Sequence, residues 1–150
     1  MNKKLAVFFV FSFLTLTLFL TRMPAVYIDE MWHINSGWKF ATEGTLGIDA
    51  YGDTLNLNRI TFQPPAFNLL IGLWFKLFGG GVFQARLLVV IMGMLILFFT
   101  YSLSKFLYDE KTAFLSIVIL FFWNFYLFRF IRMDISVALF FLIGSRVILE

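Results

Sequence analysis

The sequence predicts an all-α, polytopic membrane protein with about four transmembrane helices and juxtamembrane helices in its first outer loop. Three observations carry that prediction. Of the 150 residues, 61% are hydrophobic and 21% aromatic but only 14% charged, and twenty-two are Phe. A small soluble domain leaves too much surface in water to hide so many rings. Apolar runs recur over about 5–21, 84–104, 112–128 and 135–149, each close to the roughly 20 residues a helix needs to cross a bilayer core. The charges collect between those runs, at Lys3-Lys4, 22–83, 105–111 and 129–134.

Composition also excludes some chemistry. Cysteine is absent, so neither disulfides nor thiolate metal sites are available. The formal net charge of +3 suits anionic headgroups or phosphate ligands and is too small to imply nucleic acid.

The first run, LAVFFVFSFLTLTLFL, follows Lys3-Lys4 and ends at Thr21-Arg22. It is long for a signal-peptide h-region, and Met23-Pro24-Ala25 is a poor small-x-small cleavage site, so a retained span is expected. The segment 22–63 is the most acidic part of the chain. Within it, 30–43 is expected to form an interfacial helix. Met31, Ile34, Trp38 and Ala41 make one apolar stripe, Glu30, His33 and Gly37 lie off it, and Gly44 is a stop signal. Residues 46–63, LGIDAYGDTLNLNRITFQ, rich in Gly, Asp and Asn, read as an irregular loop. Pro64-Pro65 opens a short apolar helix that Gly79-Gly80-Gly81 closes, half-inserted or juxtamembrane because of its length. Three spans then follow, separated by KFLYDEK and RFIRMD.

Counting crossings puts 22–83 and 129–134 on one face of the membrane and 105–111 on the other. With Lys3 and Lys4 inside, the shared face is outside, although Arg22, Arg86, Arg129 and Arg132 also fall there. That face gathers Asp29, Glu30, His33, Asp49, Asp53 and Asp134 with Arg59, Arg86, Arg129 and Arg132.

Each group has two readings. Asp29 and Glu30 offer a general base and a supporting carboxylate; equally, Asp29 caps the helix and Glu30 favours its first turn. His33, three and four residues after them, is either an acid–base or metal partner or an interfacial histidine bonded to its surroundings. Arg129 and Arg132, with Asp134 beyond them, suit a lipid-linked phosphate, which guanidinium binds in a forked manner; equally, they are snorkelling anchors. Arg86 is a second phosphate ligand or an anchor. The aromatic run FFWNFYLFRF is lipid-facing and packing surface.

The order of these features resembles the N-terminal part of the GT-C glycosyltransferases, in particular the protein mannosyltransferase-like and lipid A aminoarabinose transferase-like branch. The residues carrying the resemblance are Tyr27-Ile28-Asp29-Glu30 after a first span, the proline pair of FQPPAFNLLIGLWFKLFGG, Ala85-Arg86-Leu87 and Arg132-Met133-Asp134. Many relatives have His where this chain has Gln63.

The resemblance implies a cell-membrane, multi-pass enzyme whose extracytoplasmic site moves a sugar from a polyprenyl- or dolichyl-phosphate donor to a lipid, glycan or protein acceptor. Asp29 would be the catalytic carboxylate, Glu30 its companion and Asp134 a second acid, with Arg86, Arg132 and Arg129 toward the donor phosphate. Whether the loop acids hold a divalent metal is left open. Members of the family are longer, so the chain is expected to be a single transmembrane domain from the N-terminus of a larger enzyme, inactive alone. Two other functions fit the same composition: a non-enzymatic anchoring or assembly subunit, and a polyprenol-phosphate transporter.

Overall fold

The computed structural model describes residues 3–22, 24–48 and 65–149. Among them every regular element is helical: α1 (Lys3–Thr17), α2 (Ile28–Glu43), α3 (Pro65–Phe78), α4 (Val82–Leu107), α5 (Glu110–Trp123) and α6 (Met133–Ile148), with a 3-10 turn at Leu127–Arg129. They form two compact units. The first contains α1, α5, α6 and α4 from Val89 onward; the second contains α2, α3, the beginning of α4 and Phe130–Arg132.

In the first unit, α4 is 26 residues long and the one described helix long and apolar enough to cross a membrane. At 1.5 Å per residue it extends roughly 39 Å, more than a ~30 Å hydrocarbon core. The other expected spans are helical but shorter, at 15, 14 and 16 residues for α1, α5 and α6.

Their ends have local causes. The hydroxyls of Thr15 and Thr17 bond back to Phe11 and Phe13 carbonyls at 2.9 Å, a pattern that weakens a helix slightly. Helix α1 accordingly stops at Thr17 rather than running to 21, and Arg129 Nη2 donates to the Leu18 carbonyl at 2.6 Å. Helix α5 stops at Trp123 rather than 128, where the Asn124 backbone N–H and side-chain amide both donate to the Leu120 carbonyl.

Phe8 of α1 meets Phe114 and Phe121 of α5 edge to face, each at 5.7 Å. From α6, Arg146 donates to Ser102 Oγ at 3.2 Å and lies over the Phe106 ring of α4. Outward the unit is apolar: Val7, Leu115, Phe122, Val137 and Phe141 are all exposed, as suits side chains facing hydrocarbon rather than water.

In the second unit, α2 packs on α3 through two glycines. A Cβ on Gly37 would lie 2.5 Å from Ile71 Cγ2; one on Gly72 would lie 2.5 Å from the Phe40 ring and 3.0 Å from the Gly37 carbonyl. The backbones therefore approach more closely than side chains would allow. Helix α3 begins at Pro65, whose ring presets the helical φ. It ends at Phe78 because Gly79 takes φ +82° and returns its N–H to the Phe75 carbonyl.

Helix α2 turns its polar face inward. Glu30, His33, Ser36, Gly37 and Lys39 are buried, whereas Met31 and Trp38 of the apolar stripe are about half exposed. The stripe that sequence periodicity marks is thus not the buried face, although Trp38 lies against Gly80 just past α3. Small and polar residues, with Phe40, make the internal contacts.

Candidate functional site

The second unit contains a buried ion pair at the start of α2. The helix opens at Tyr27, an extended residue, so Asp29 is not its cap but lies in its first turn beside Glu30. Glu30 takes the N3 position, from which its side chain reaches back to the Tyr27 N–H at 2.9 Å. This is the carboxylate half of a capping box. The same carboxylate receives three further hydrogen bonds. Its Oε2 accepts from Arg86 Nη2 at 2.6 Å, and its Oε1 accepts from Arg86 Nε at 2.9 Å and from the Ile131 N–H at 3.1 Å. Four donors thus meet the approximately four lone-pair sites of an ionised carboxylate.

Arg86 is equally satisfied. Its Nη1 donates to the carbonyls of Leu20 and Pro24 at 2.7 and 2.8 Å, and its Nη2 also donates to Ala25 at 3.3 Å. Together with the two bonds to Glu30, these account for the five N–H donors of a guanidinium. The ring of Phe130 lies 5.9 Å away. Glu30 and Arg86 are 1% and 0% exposed. A buried pair is tolerated when its geometry is forked and its remaining donors and acceptors are matched, as here. The pair ties four pieces of chain together: the backbone at Leu20, Pro24 and Ala25, the start of α2, the start of α4 and the backbone at Ile131.

Asp29 precedes Glu30 and is exposed; Arg132 follows Ile131 and is exposed. Because Glu30 holds the Ile131 N–H, an acid and a base are carried on the two sides of one buried hydrogen bond. The Glu30–Arg86 clasp fixes the backbone beneath both.

The remaining residues singled out by sequence take different places. His33 is buried in α2, 4.9 Å edge-on from the Phe67 ring. Its Nδ1 lies 2.7 Å from Asn68 Oδ1; an amide oxygen only accepts, so Nδ1 carries the hydrogen. His33 therefore bonds α2 to α3. Arg129 is buried in the first unit, donating to Leu18 and lying 5.6 Å over the Phe125 ring. Asp134 is exposed in the first turn of α6. Asp49, Asp53, Arg59 and Gln63 lie outside the described residues. Among the described residues no three His, Asp or Glu side chains converge as metal ligands.

Sequence reasoning missed Asn68 and the carbonyls of Leu20, Pro24 and Ala25. Asn68 had a visible signal, a lone amide in the apolar helix AFNLLIGLWF. The carbonyls had none, since any residue supplies one.

A family model described as dolichyl-phosphate-mannose-protein mannosyltransferase matches residues 62–147, more than half of the chain. No curated protein and no solved structure matches it.

Proposed function

The chain belongs to the dolichyl-phosphate-mannose-protein mannosyltransferase family, a glycosyltransferase family of GT-C type, and from that membership we propose the reaction its exposed acid serves. The donor is a sugar on a polyprenyl or dolichyl phosphate, and the acceptor is a hydroxyl or amine of a lipid, glycan or protein at the outer membrane face. Asp29 takes the proton from the acceptor nucleophile. The nucleophile attacks the anomeric carbon, the bond from that carbon to the phosphate oxygen breaks, and polyprenyl phosphate leaves. Arg132 stabilises the charge that develops on the departing phosphate.

The observation that carries this assignment is the division of labour between neighbours. Glu30 and Arg86 are buried and fully bonded to each other and to backbone. We therefore assign them the positioning of this region, not contact with acceptor or phosphate. Asp29 and Arg132, each one residue from the clasp, are exposed and carry the charges that the chemistry needs.

Sugar transfer measured in membranes from cells carrying the gene tests this. Asp29→Asn should lower kcat by about 10²- to 10⁴-fold, the usual worth of a general base, with donor binding and thermal unfolding unchanged. Arg132→Ala should weaken donor binding as well as transfer. Undiminished transfer by Asp29→Asn would overturn the assignment. If transfer survived Asp29→Asn and only donor binding fell in Arg132→Ala, the transporter reading would take its place.

A further inference from the structure

The Glu30–Arg86 clasp also holds a short stretch of chain just ahead of Asp29. Arg86 donates to the carbonyls of Pro24 and Ala25 at 2.8 and 3.3 Å, and Glu30 accepts from the Tyr27 N–H at 2.9 Å. The Tyr27 carbonyl in turn accepts from the Glu30 N–H at 3.1 Å. The main chain of 24–27 is therefore tied to the buried pair at successive points, and Tyr27 stays extended, with φ −93° and ψ 155°. The side chains stand outside: Val26, Tyr27 and Ile28 are 40%, 60% and 60% exposed, and Asp29 follows them, exposed as well.

Helix α2 does not need the ring of Tyr27. The residue holds the N-cap position, where Ser, Thr, Asp and Asn are preferred because their oxygens accept from the first helical N–H groups. Its side chain makes no such bond, and what capping there is comes from the Glu30 carboxylate. An aromatic ring on a pinned backbone, two residues before the proposed base, is instead a surface for a bound molecule to cover. Tyr suits that use: its ring is apolar, its tip is polar, and only two χ angles need be fixed on binding.

Given the transfer reaction assigned to Asp29, on which this inference rests, we propose that Tyr27 is the acceptor-specificity residue and that the acceptor is a membrane lipid. The lipid's apolar part lies against the Tyr27 ring, which Val26 and Ile28 flank in sequence, and its hydroxyl or amine reaches Asp29. Three consecutive exposed apolar side chains ahead of an acid suit a molecule that carries its nucleophile next to an apolar body. A polar polypeptide would leave the same side chains without an apolar partner. Covering the exposed half of the ring is worth about tenfold in affinity.

Membranes from cells carrying the gene, solubilised in detergent, test this when given saturating radiolabelled donor and increasing amounts of lipid extract from cells lacking the gene. Label should enter a product soluble in chloroform–methanol and separable from the donor. Tyr27→Ala should raise the amount of extract needed for half-maximal rate about tenfold at unchanged maximal rate. Tyr27→Phe, which keeps the ring, should match the unsubstituted chain. Thermal unfolding should be equal in all three, because α2 is capped through the main chain of residue 27. Label recovered in precipitated protein would overturn the proposal, as would a Tyr27→Ala loss confined to the maximal rate or tracking a lower unfolding temperature. Transfer that requires Asp29 and ignores Tyr27 overturns this inference alone; transfer that survives Asp29→Asn overturns the reaction beneath it as well.

Discussion

Glu30 and Arg86 lie 56 residues apart and behave as one unit. Removing one partner from a buried, matched pair leaves the other's charge buried without its counter-charge, which costs about 3–5 kcal/mol, whereas replacing both by apolar residues of similar volume is often neutral. Arg86→Met alone should therefore lower unfolding stability by about that amount, while Glu30→Leu with Arg86→Met should recover much of the loss. Thermal unfolding of the three variants in one detergent decides it; equal losses in the single and double variants would mean that the clasp is not a coupled pair.

The sequence marked both residues as charged neighbours of a membrane edge but not as each other's partner. From its place at a span end Arg86 reads as a phosphate ligand or an anchor, and the family resemblance implies the former. Its inward turn depends on carbonyls at Leu20, Pro24 and Ala25 that no sequence pattern reveals. Asp29 and Glu30 show the same limit: adjacent and chemically alike, they part into an exposed and a buried acid only through what packs beside them.

Helices were more legible because their signals are local. Pro65 and Gly79 bracket α3 as read, and Gly44 ends α2 with φ +75°. The inner face of α2 was not legible, because hydrophobic periodicity marks a stripe without saying whether protein or lipid receives it. Glycine separates the two cases experimentally. Gly72→Ala should destabilise by about 1–3 kcal/mol through overpacking against Phe40 and the Gly37 carbonyl. Gly144→Ala in α6, where an added Cβ meets nothing within 4 Å, should instead stabilise by up to about 1 kcal/mol from helix propensity alone. The same sign for both in thermal unfolding would contradict the close α2–α3 crossing.

Helix α5 carries a pH-dependent start. The Thr112 N–H, then its hydroxyl, hold the Asp109 carboxyl below its ordinary value of 3.8. A lowered carboxylate pKa contributes stability that is present above the ordinary value and lost as pH falls through the lowered one. Amide protection at residues 112 and 113 should thus decline below about pH 4 and be low at every pH in Asp109→Ala. Protection independent of pH in the unsubstituted chain would remove the cap from this account.

For the whole molecule, the decisive quantity is which side of the membrane each end of α4 occupies. Composition made a membrane protein legible at once, since no core of 150 residues could absorb twenty-two Phe. Span count was less legible, because α1, α5 and α6 end sooner than their apolar runs. The transfer reaction proposed above needs 22–83 on the outer face, and a helix of 26 residues crossing the bilayer then needs Tyr108 on the inner one. The absence of cysteine provides a clean background for mapping this. A cysteine introduced at Asp53 should react with a membrane-impermeant maleimide in intact cells, and one at Tyr108 only after permeabilisation. The reverse pattern would put Asp29 on the cytoplasmic face, where the proposed extracytoplasmic transfer fails whatever the chemistry of its carboxylate.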